Sequence, residues 1–293
     1  MVSIPRFDVY RPTSLEDALE YLDREAPEAI PMGGGTELLV LIRDGIIRPK
    51  KIVDLWPLRS KLSFVKKENG YVRIGALTTI EELAHSFLTK DRRYLGFIDL
   101  YKGFATHQIR TMATVGGNIG CAHPLSDAAI LLLTLDAEVK FVSVKGERWE
   151  LLENVFAGKR VLKKEPNEVI TEVRFKELPD NSSTALMKFD RRKVHVMGYI
   201  VTAASMTLTD GKISKVAIAF DSMGKPYPGR AKMTEEALKG MEFSIDKISR
   251  VIDEVLPKEM SRITDYRATA EYRLYLSKVL LKRVLQKIKE RIR

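Results

Sequence analysis

Pro31-Met32-Gly33-Gly34-Gly35-Thr36-Glu37-Leu38-Leu39 is one of two glycine-rich turns in this chain, and Thr114-Val115-Gly116-Gly117-Asn118-Ile119 is the other. Each turn closes an apolar run and is followed by a predicted helix. Because glycine has no Cβ, such turns can present bare main-chain N–H groups to a phosphate. Two such loops suit a diphosphate better than a monophosphate, so the sequence predicts a dinucleotide cofactor.

Each turn taken alone has a simpler interpretation. A Gly-Gly-Gly triplet often makes only a flexible turn, and Gly116-Gly117-Asn118 is equally compatible with a tight turn. Neither stretch contains the Gly-Lys-Ser/Thr of a P-loop or a complete G-x-G-x-x-G fingerprint. The cofactor prediction therefore depends on the pair of turns and on the sequence around them.

Composition narrows the class of protein. The chain has 293 residues with 45% hydrophobic and 30% charged residues, which predicts two or three globular domains. We find no apolar run long enough to span a bilayer and no signal-peptide core, so we expect a soluble cytoplasmic protein. The single cysteine, Cys121, excludes an internal disulfide and any four-cysteine metal centre within this chain. Redox chemistry here would therefore need an organic cofactor.

The net charge of +10 is concentrated at the C-terminus. Glu290 is the only acidic residue among the basic residues Lys282, Arg283, Lys287, Lys289, Arg291 and Arg293. A basic helix end can contact nucleic acid, an acidic membrane or a partner protein. The simpler alternative, which we favour, is a solvated helix face whose cations suit the C-terminal dipole. No nucleic-acid-binding motif accompanies the charge, so we expect no nucleic-acid partner.

Cap residues predict where several helices begin. Thr13 to Glu16 and Thr79 to Glu82 have the spacing of capping boxes. Thr36 and Ser126 follow the two glycine turns at positions where a side-chain oxygen can cap a helix. The predicted helices run over about 15–22, 36–43 and 127–135, with a short one from residue 80, and later over 234–239, 245–256 and 269–292. The last should bury one face, formed by Tyr272, Leu276, Val279, Leu280 and Ile288.

Apolar runs between turn signals predict the strands. The first glycine turn joins a strand to a helix in a β-loop-α-β unit, and the later strands are expected to be antiparallel. Asn69-Gly70 and Asp210-Gly211 are typical of tight hairpin turns. Residues 176–184 contain Pro179-Asp180-Asn181-Ser182-Ser183 and are predicted as the domain boundary. The predicted strands are 29–32, 51–55, 62–65, 71–74, 138–144, 169–175, 185–189, 199–208 and 213–220.

The surroundings of both turns resemble those of a known family. The first turn resembles the Ala-Gly-Gly-Thr-Asp-Leu-Leu loop of flavoprotein subunits in the molybdenum hydroxylase family. The second resembles their Thr-Ile-Gly-Gly-Asn loop, which a proline and a helix-starting aspartate follow, here Pro124 and Asp127. The likeness extends almost end to end, through Phe7–Pro12, Val72–Thr79, Asn167–Val173 and Ala270–Arg273. Relatives in this family include the medium subunit of carbon monoxide dehydrogenase and the flavin subunit of xanthine dehydrogenase.

The resemblance implies an α+β fold. Residues 1–176 would form a vanillyl-alcohol-oxidase-type FAD-binding domain of two α/β subdomains, about 1–56 and 57–176. Residues 185–293 would form the C-terminal domain of carbon monoxide dehydrogenase flavoproteins, with a small antiparallel sheet and a helical bundle. The implied cofactor is FAD.

The resemblance also implies which residues contact FAD. One part of the diphosphate would be held by Gly33, Gly34, Gly35, Thr36 and Glu37, and the other by Thr114, Val115, Gly116, Gly117 and Asn118. Asp127 would bond an adenosine ribose hydroxyl, and Ile170 would pack near the cofactor. Lys188 would lie at the flavin edge, and Tyr199 beside the isoalloxazine. Alternatively, Asp127 is only a favourable helix N-terminal charge, Ile170 and Tyr199 are core residues, and Lys188 is a surface lysine.

Some residues depart from the family pattern. Met32 and Gly33 stand where relatives have a small apolar residue and only two glycines, and His123 replaces the usual serine before Pro124. Cys121 and His123 are two potential ligands without a third, so we expect local packing rather than a metal site. The other histidines, His85, His107 and His195, have no visible catalytic partner and are expected to be structural.

The resemblance implies the FAD-binding electron-transfer subunit of a multi-subunit molybdenum hydroxylase. Electrons from a large molybdopterin-binding subunit would pass through two [2Fe–2S] clusters of a small subunit to FAD on this chain and then to an external acceptor. The implied assembly is a heterotrimer that often pairs into a hexamer. No catalytic acid–base pair is required. The alternatives are a self-contained FAD oxidase or dehydrogenase, and a scaffold subunit without flavin.

Overall fold

The computed structural model describes residues 5–190, 198–221 and 223–292, and its first part is a small parallel sheet. Both strand pairs of this sheet are parallel, in the order β1-β3-β2. The first helix buries Ala18, Leu19 and Leu22, as the predicted apolar stripe requires. The predicted β-loop-α-β unit is confirmed by β2, α2 and β3, since β2 and β3 pair in parallel. The elements are β1 (Asp8–Tyr10), α1 (Leu15–Glu25), β2 (Ala29–Met32), α2 (Leu38–Arg43) and β3 (Lys51–Asp54).

The second part is a five-stranded sheet covered by short helices. The strand order is β4-β5-β10-β6-β7, and every pair is antiparallel. Short helices connect the strands and pack on one side of the sheet around Tyr94, Phe97 and Phe141, which are buried. The elements are α3 (Arg59–Leu62), β4 (Val65–Glu68), β5 (Tyr71–Gly75), α4 (Ile80–His85), α5 (Gly96–Gly103), α6 (His107–Arg110), α7 (Val115–Gly120), α8 (Asp127–Leu133), β6 (Glu138–Ser143), β7 (Gly146–Leu151), α9 (Leu152–Val155), β8 (Phe156–Gly158), β9 (Val161–Leu162) and β10 (Val169–Lys176).

The third part is an antiparallel sheet in the order β11-β12-β13-β14, with three helices on one side. The α+β fold and the C-terminal sheet with helices are thus confirmed. Its first strand starts at Ser182, inside the stretch 176–184 that the sequence predicted as a boundary. The elements are β11 (Ser182–Phe189), β12 (Ile200–Thr209), β13 (Lys212–Phe220), β14 (Gly229–Arg230), α10 (Lys232–Leu238), α11 (Ile245–Glu259) and α12 (Ala270–Arg291).

The C-terminal sheet is buried on both faces. Alternate residues of its strands, among them Leu186, Ala203 and Ala219, complete the core beneath α5 and α8. Their neighbours on the other face, such as Ala204 and Ile218, pack with the apolar residues of α11 and α12. Because strand side chains alternate between faces, one sheet closes two cores.

One predicted capping box is confirmed, and the other is shifted by one residue. Thr79 opens α4 as predicted, since its hydroxyl accepts the Glu82 amide and the Glu82 carboxylate accepts the Thr79 amide. At the first helix the cap is Ser14, one residue later than predicted, and its hydroxyl accepts the amide of Asp17 at 3.1 Å. The carboxylate that bonds back is that of Asp17 instead of Glu16, and it accepts the amide of Thr13, the residue before the cap, at 2.8 Å.

Thr36 and Ser126 do not cap the helices that follow the glycine turns. The N-cap of α2 is Glu37, whose side chain makes no capping bond. Ser126 is the N-cap of α8, but its hydroxyl donates to the carbonyl of Asn118 at 2.8 Å. The Asn118 side chain takes over the capping role, because its Oδ1 accepts the amide of Ala129 at 3.2 Å.

Both predicted hairpins are confirmed. Asn69 and Gly70 have φ of 53° and 76°, and Asp210 and Gly211 have 51° and 75°, which is the left-handed pair that a two-residue hairpin turn requires. The strand predicted over 62–65 starts only at Val65, since Leu62 belongs to α3. The predicted helix over 127–135 ends at Leu133.

Three of the basic side chains at the C-terminus bind acidic residues of this chain. Lys287 and Arg291 pair with Asp99 at 2.7 and 2.8 Å, and Lys282 pairs with Asp253 at 2.7 Å. Tyr272, predicted on the buried face of α12, is 44% exposed, because the buried face starts at its neighbour Arg273 and continues through Leu276 and Leu280. Within the described residues, no helix is long and apolar enough to cross a membrane.

Candidate functional site

The first glycine turn presents a row of unpaired amides. It lies between β2 and α2, and the N–H groups of residues 33–37 have no hydrogen-bond acceptor among the described residues. The amide of Leu39 is the first to bond back, to the carbonyl of Gly35 at 3.0 Å. A run of main-chain donors without acceptors favours an anionic ligand. This turn therefore fits a diphosphate.

The glycines of this turn are required by contact with the second loop. A Cβ on Gly34 would lie 1.6 Å from the carbonyl oxygen of Met112, and a Cβ on Gly33 would lie 2.9 Å from the Thr114 hydroxyl. Gly35 has φ +70°, a conformation that other residues rarely adopt. The structure thus brings the two predicted loops into direct contact.

The second loop does not present a row of bare amides, contrary to the prediction. Its glycines lie in α7, and the amides of Val115 and Gly116 donate to the carbonyls of Thr78 and Ala76 at 2.9 and 2.8 Å. The amide of Gly117 donates to the Thr114 hydroxyl, which caps α7. The Asn118 amide donates to the Thr114 carbonyl at 2.9 Å. Among the described residues the amide of Thr114 has no acceptor, so this loop offers a ligand one amide and its side-chain groups.

Gly116 is also fixed by packing. A Cβ there would lie 2.7 Å from the Cβ of Ala76 and 2.8 Å from its carbonyl oxygen. Its role is therefore to let α7 approach the end of β5, which positions Asn118. The Asn118 Oδ1 accepts the amide of Ala129, and its Nδ2 hydrogens remain available as donors.

Asp127 and Lys188 form a buried ion pair. Lys188 Nζ lies 3.0 Å from Asp127 Oδ2, and the two side chains are 11% and 6% exposed. Burial raises the pKa of Asp127, while the charge and hydrogen bond of Lys188 oppose that rise. The second oxygen, Asp127 Oδ1, is buried and has no hydrogen-bond partner among the described residues. A buried unsatisfied oxygen is costly, so this acceptor suits a donor supplied by a ligand.

A second carboxylate flanks the same lysine. Burial raises the pKa of Asp190, and the positive charge of Lys188 opposes the rise. Asp190 Oδ1 is also buried without a partner within the part of the chain that is described. Lys188 is thus no surface lysine: it is the shared cation of two carboxylates, and it also lies 3.5 Å from the carbonyl of Gly103.

Ile170 and Tyr199 lie in different surroundings. Ile170 is half-buried at a bulge of β10 and packs against the core beneath α5 and α8. A Cβ on Gly120 would lie 4.0 Å from its Cδ1. It therefore adjoins the end of α7. Tyr199 is 7% exposed and packs in the core between the C-terminal sheet and its helices, with its ring 6.1 Å from that of Phe189.

Cys121 and His123 make local hydrogen bonds. The thiol donates to the Asn118 carbonyl at 3.2 Å, and burial raises its pKa. Nδ1 of His123 accepts the amide of Leu125 at 3.0 Å, and burial lowers the pKa of the imidazole. Among the described residues no group of three or more His, Cys, Asp or Glu side chains could hold a metal ion.

His85 and His107 both lie beside one carboxylate, that of Glu81, at 3.2 and 3.3 Å. Their side chains are largely exposed, and within the described part of the chain their ion pairs are with Glu81 alone. His195 lies outside the described residues. A cavity of about 470 Å³ lies between the end of α1 and the β6–β7 hairpin and includes neither loop.

The sequence reasoning missed one residue at the first loop. Arg160 Nη2 lies 2.8 Å from Glu37 Oε1, although the two residues are 123 positions apart. No motif around Arg160 signals this contact. Only the fold brings the β8–β9 turn to the glycine loop.

The fold defines an α+β protein in which a parallel β-loop-α-β unit with a glycine-rich turn lies beside a sheet of antiparallel strands. The chain belongs to the family of FAD-binding domains in molybdopterin dehydrogenases, whose model matches residues 5–177. Residues 185–288 match the C-terminal domain of carbon monoxide dehydrogenase flavoproteins. The protein is an FAD-binding oxidoreductase subunit of the molybdenum hydroxylase family, and its cofactor is FAD.

Curated relatives and solved structures agree with this family. The chain is 27% identical over 277 residues to the putative xanthine dehydrogenase FAD-binding subunit of Escherichia coli K12, covering 94% of each chain. It is 27% identical over 289 residues to the carbon monoxide dehydrogenase medium chain of Afipia carboxidovorans, covering 97% of each. It superposes on a chain of the carbon monoxide dehydrogenase of Hydrogenophaga pseudoflava with a TM-score of 0.92 at 25% identity, covering 99% of this chain and 100% of that one.

Proposed function

We propose that this chain holds FAD with its diphosphate on the first glycine loop and passes electrons from a partner's [2Fe–2S] clusters to an external acceptor. The observation that carries the proposal is the row of unpaired amides at residues 33–37, found in a chain of an FAD-binding family. FAD, when bound, supplies the redox chemistry, and the protein supplies binding and orientation.

The two glycine loops contribute to cofactor binding in different ways. Gly33, Gly34 and Gly35, with Thr36 and Glu37, offer main-chain donors to the diphosphate, each worth about 1.5–3 kcal/mol against a charged oxygen. The second loop acts through packing and through Asn118 Nδ2, because the amides of residues 115–118 are already bonded. Thr114 contributes the hydroxyl that touches both loops.

Asp127 and Lys188 would contact the same part of the cofactor. Their 3.0 Å separation is hard to reconcile with separate contacts to the adenosine ribose and to the flavin ring. We infer that the pair faces a single polar group of FAD, for which Asp127 Oδ1 is the free acceptor and Lys188 the nearby cation. Ile170, beside α7, would pack on the cofactor, and Tyr199 would border the flavin from the C-terminal sheet.

The domain limits of this chain and its partner subunits are part of the same proposal. Residues 1–176, in subdomains of about 1–56 and 57–176, form the FAD-binding domain, and 185–293 form the C-terminal domain. Relatives are named as medium chains of carbon monoxide and glyceraldehyde dehydrogenases, which supports a large molybdopterin subunit and a small iron–sulfur subunit as partners. The single cysteine of this chain means that the iron–sulfur clusters belong to another chain.

The partner proposal is tested by purifying the tagged full chain from its own cells. We expect two further chains to accompany it, with molybdenum and iron in the purified complex and FAD as the flavin. Recovery of the chain alone, with FAD and with turnover of a substrate that needs no other subunit, would instead support a self-contained flavin dehydrogenase. Recovery with partners but without flavin would support a scaffold.

A further inference from the structure

The first loop contains a charge that opposes its proposed ligand. Glu37 ends the row of free amides, and its carboxylate would repel a diphosphate in the same loop. Its side chain makes no capping bond. It pairs with Arg160 at 2.8 Å, with the two side chains 32% and 25% exposed. One cation thus neutralises the only acidic side chain of the loop.

Arg160 is held in place from a second direction. It lies in the turn between β8 and β9, and its amide donates to the carbonyl of Ala122 at 2.9 Å. Both residues have left-handed backbones, with φ of 61° at Arg160 and 42° at Ala122, a conformation costly for residues other than glycine. Arg160 therefore ties the segment after the second loop to the end of the first.

One donor of Arg160 remains unused. Its Nε is buried and has no hydrogen-bond partner within the described part of the chain. A buried donor without an acceptor is unfavourable, and a guanidinium suits phosphate oxygens through several N–H groups at once. The free Nε is thus available to an anion that reaches the loop.

The charges that act on the neighbouring His123 are also mainly positive. Burial lowers the pKa of His123 and Glu37 opposes this effect, while the cations Arg160, Lys159 and Arg267 lower it further. Three cations from two distant segments therefore act on this corner of the molecule. The positive charge at this corner comes from arginine and lysine side chains.

We propose that Arg160 is a further FAD-binding residue, which neutralises Glu37 and donates from Nε to the diphosphate. This inference rests on the proposed placement of the diphosphate on the first loop. Arg160 would act as a binding residue without taking part in electron transfer. Its removal should therefore change the affinity for FAD.

The test measures the dissociation constant of FAD for the full chain, stripped of flavin, by quenching of flavin fluorescence. The variants are Arg160→Met, Glu37→Gln and the double variant. Arg174→Met is the matched control, because Arg174 pairs with Glu138 at 2.7 Å with both side chains 27% exposed, and neither residue belongs to the proposed site. Arg160→Lys serves if Arg160→Met does not fold, since it keeps the charge but lacks Nε.

We expect Arg160→Met to weaken FAD binding by about 10- to 100-fold, and Arg160→Lys by less. The loss should be smaller at about 1 M than at about 0.1 M salt, because salt screens charge interactions. The double variant should recover only part of the affinity, since it removes the repulsion but not the missing donor. The control should bind FAD like the unchanged chain.

Three results would overturn the inference while leaving the proposed function intact. These are binding by Arg160→Met within about twofold of the unchanged chain, a loss of the same size at both salt concentrations, and complete recovery in the double variant. If the unchanged full chain takes up no FAD, the proposed function itself fails, whatever Arg160 does.

Discussion

At the residue scale, the role of Gly34 is packing between the two loops. We expect Gly34→Ala to weaken FAD binding by more than about 100-fold, because the added methyl would lie 1.6 Å from the Met112 carbonyl and displace several amides from the diphosphate. Gly120→Ala adds the same methyl where the only contact is Ile170 at 4.0 Å, and it should bind FAD normally. Equal affinities of the two variants, measured by fluorescence titration, would contradict the assignment.

The ion pair of Asp127 and Lys188 predicts non-additive stability effects. Lys188→Met leaves a buried carboxylate without its cation and should cost about 3–5 kcal/mol. Asp127→Asn combined with Lys188→Met should cost less than the two single changes added together, because no charged Asp127 carboxylate is then left without its cation. Urea unfolding of the three variants measures this. Strictly additive costs would show that the pair does not interact.

The loop before α12 gives a pH prediction. Burial alone would raise the pKa of Asp265, but hydrogen bonds from Arg267 and Arg273 outweigh it and hold that pKa well below its usual range. A carboxylate with a lowered pKa contributes its full stability above its unfolded pKa of about 3.9, and this contribution declines progressively as the pH falls from there towards the lower pKa of the folded state. Asp265→Asn should therefore cost most at about pH 6, and its cost should shrink steadily as the pH is lowered below about 4. A stability difference that does not change with pH would contradict this.

The site residues show what sequence could and could not give. The glycines of both loops were predicted as special, but the reason differs: Gly34 and Gly116 are required by Met112 and Ala76, which no local pattern reveals. The contact of Arg160 with Glu37 was missed because it depends on tertiary structure alone. Assignment of the loop residues to FAD stays a prediction until binding is measured.

At the element scale, local signals predicted strands and hairpins better than caps. Asn69-Gly70 and Asp210-Gly211 fix their turns through their own backbone preferences, so sequence sufficed. Ser126 failed as a cap because its hydroxyl bonds to Asn118, eight residues earlier. Competition between two partners for one hydroxyl is decided by packing, which the sequence does not display.

The docking of α12 gives a prediction at this scale. Asp99 on α5 is 7% exposed and binds both Lys287 and Arg291 of α12, so Asp99→Asn should cost about 1.5–3 kcal/mol. Asp253→Asn is the control, since Asp253 also binds α12 through Lys282 but is 48% exposed and should cost within about 0.5 kcal/mol. Thermal or urea unfolding compares them. Equal losses would mean that burial of the pair is unimportant.

At the scale of the whole molecule, the C-terminal sheet is part of both cores. Leu186 and Ala203 face the core beneath α5 and α8, and Ala204 and Ile218 face the C-terminal helices. Sequence patterns predicted separate domains because they indicate where strands begin but not what covers each face of a sheet. A shared sheet holds Lys188 of β11 against Asp127 of α8, so the proposed site depends on both parts of the chain.

The central claim is that this chain binds FAD, with the diphosphate on the amides of residues 33–37. The most direct measurement is the visible absorption spectrum of the purified full chain before and after addition of FAD, with the released cofactor identified by chromatography. We predict flavin bands that saturate near one FAD per chain and that dithionite bleaches, and no such bands with Gly34→Ala at the same FAD concentration. A colourless chain that takes up no FAD, or a Gly34→Ala chain with the full spectrum, would contradict the account.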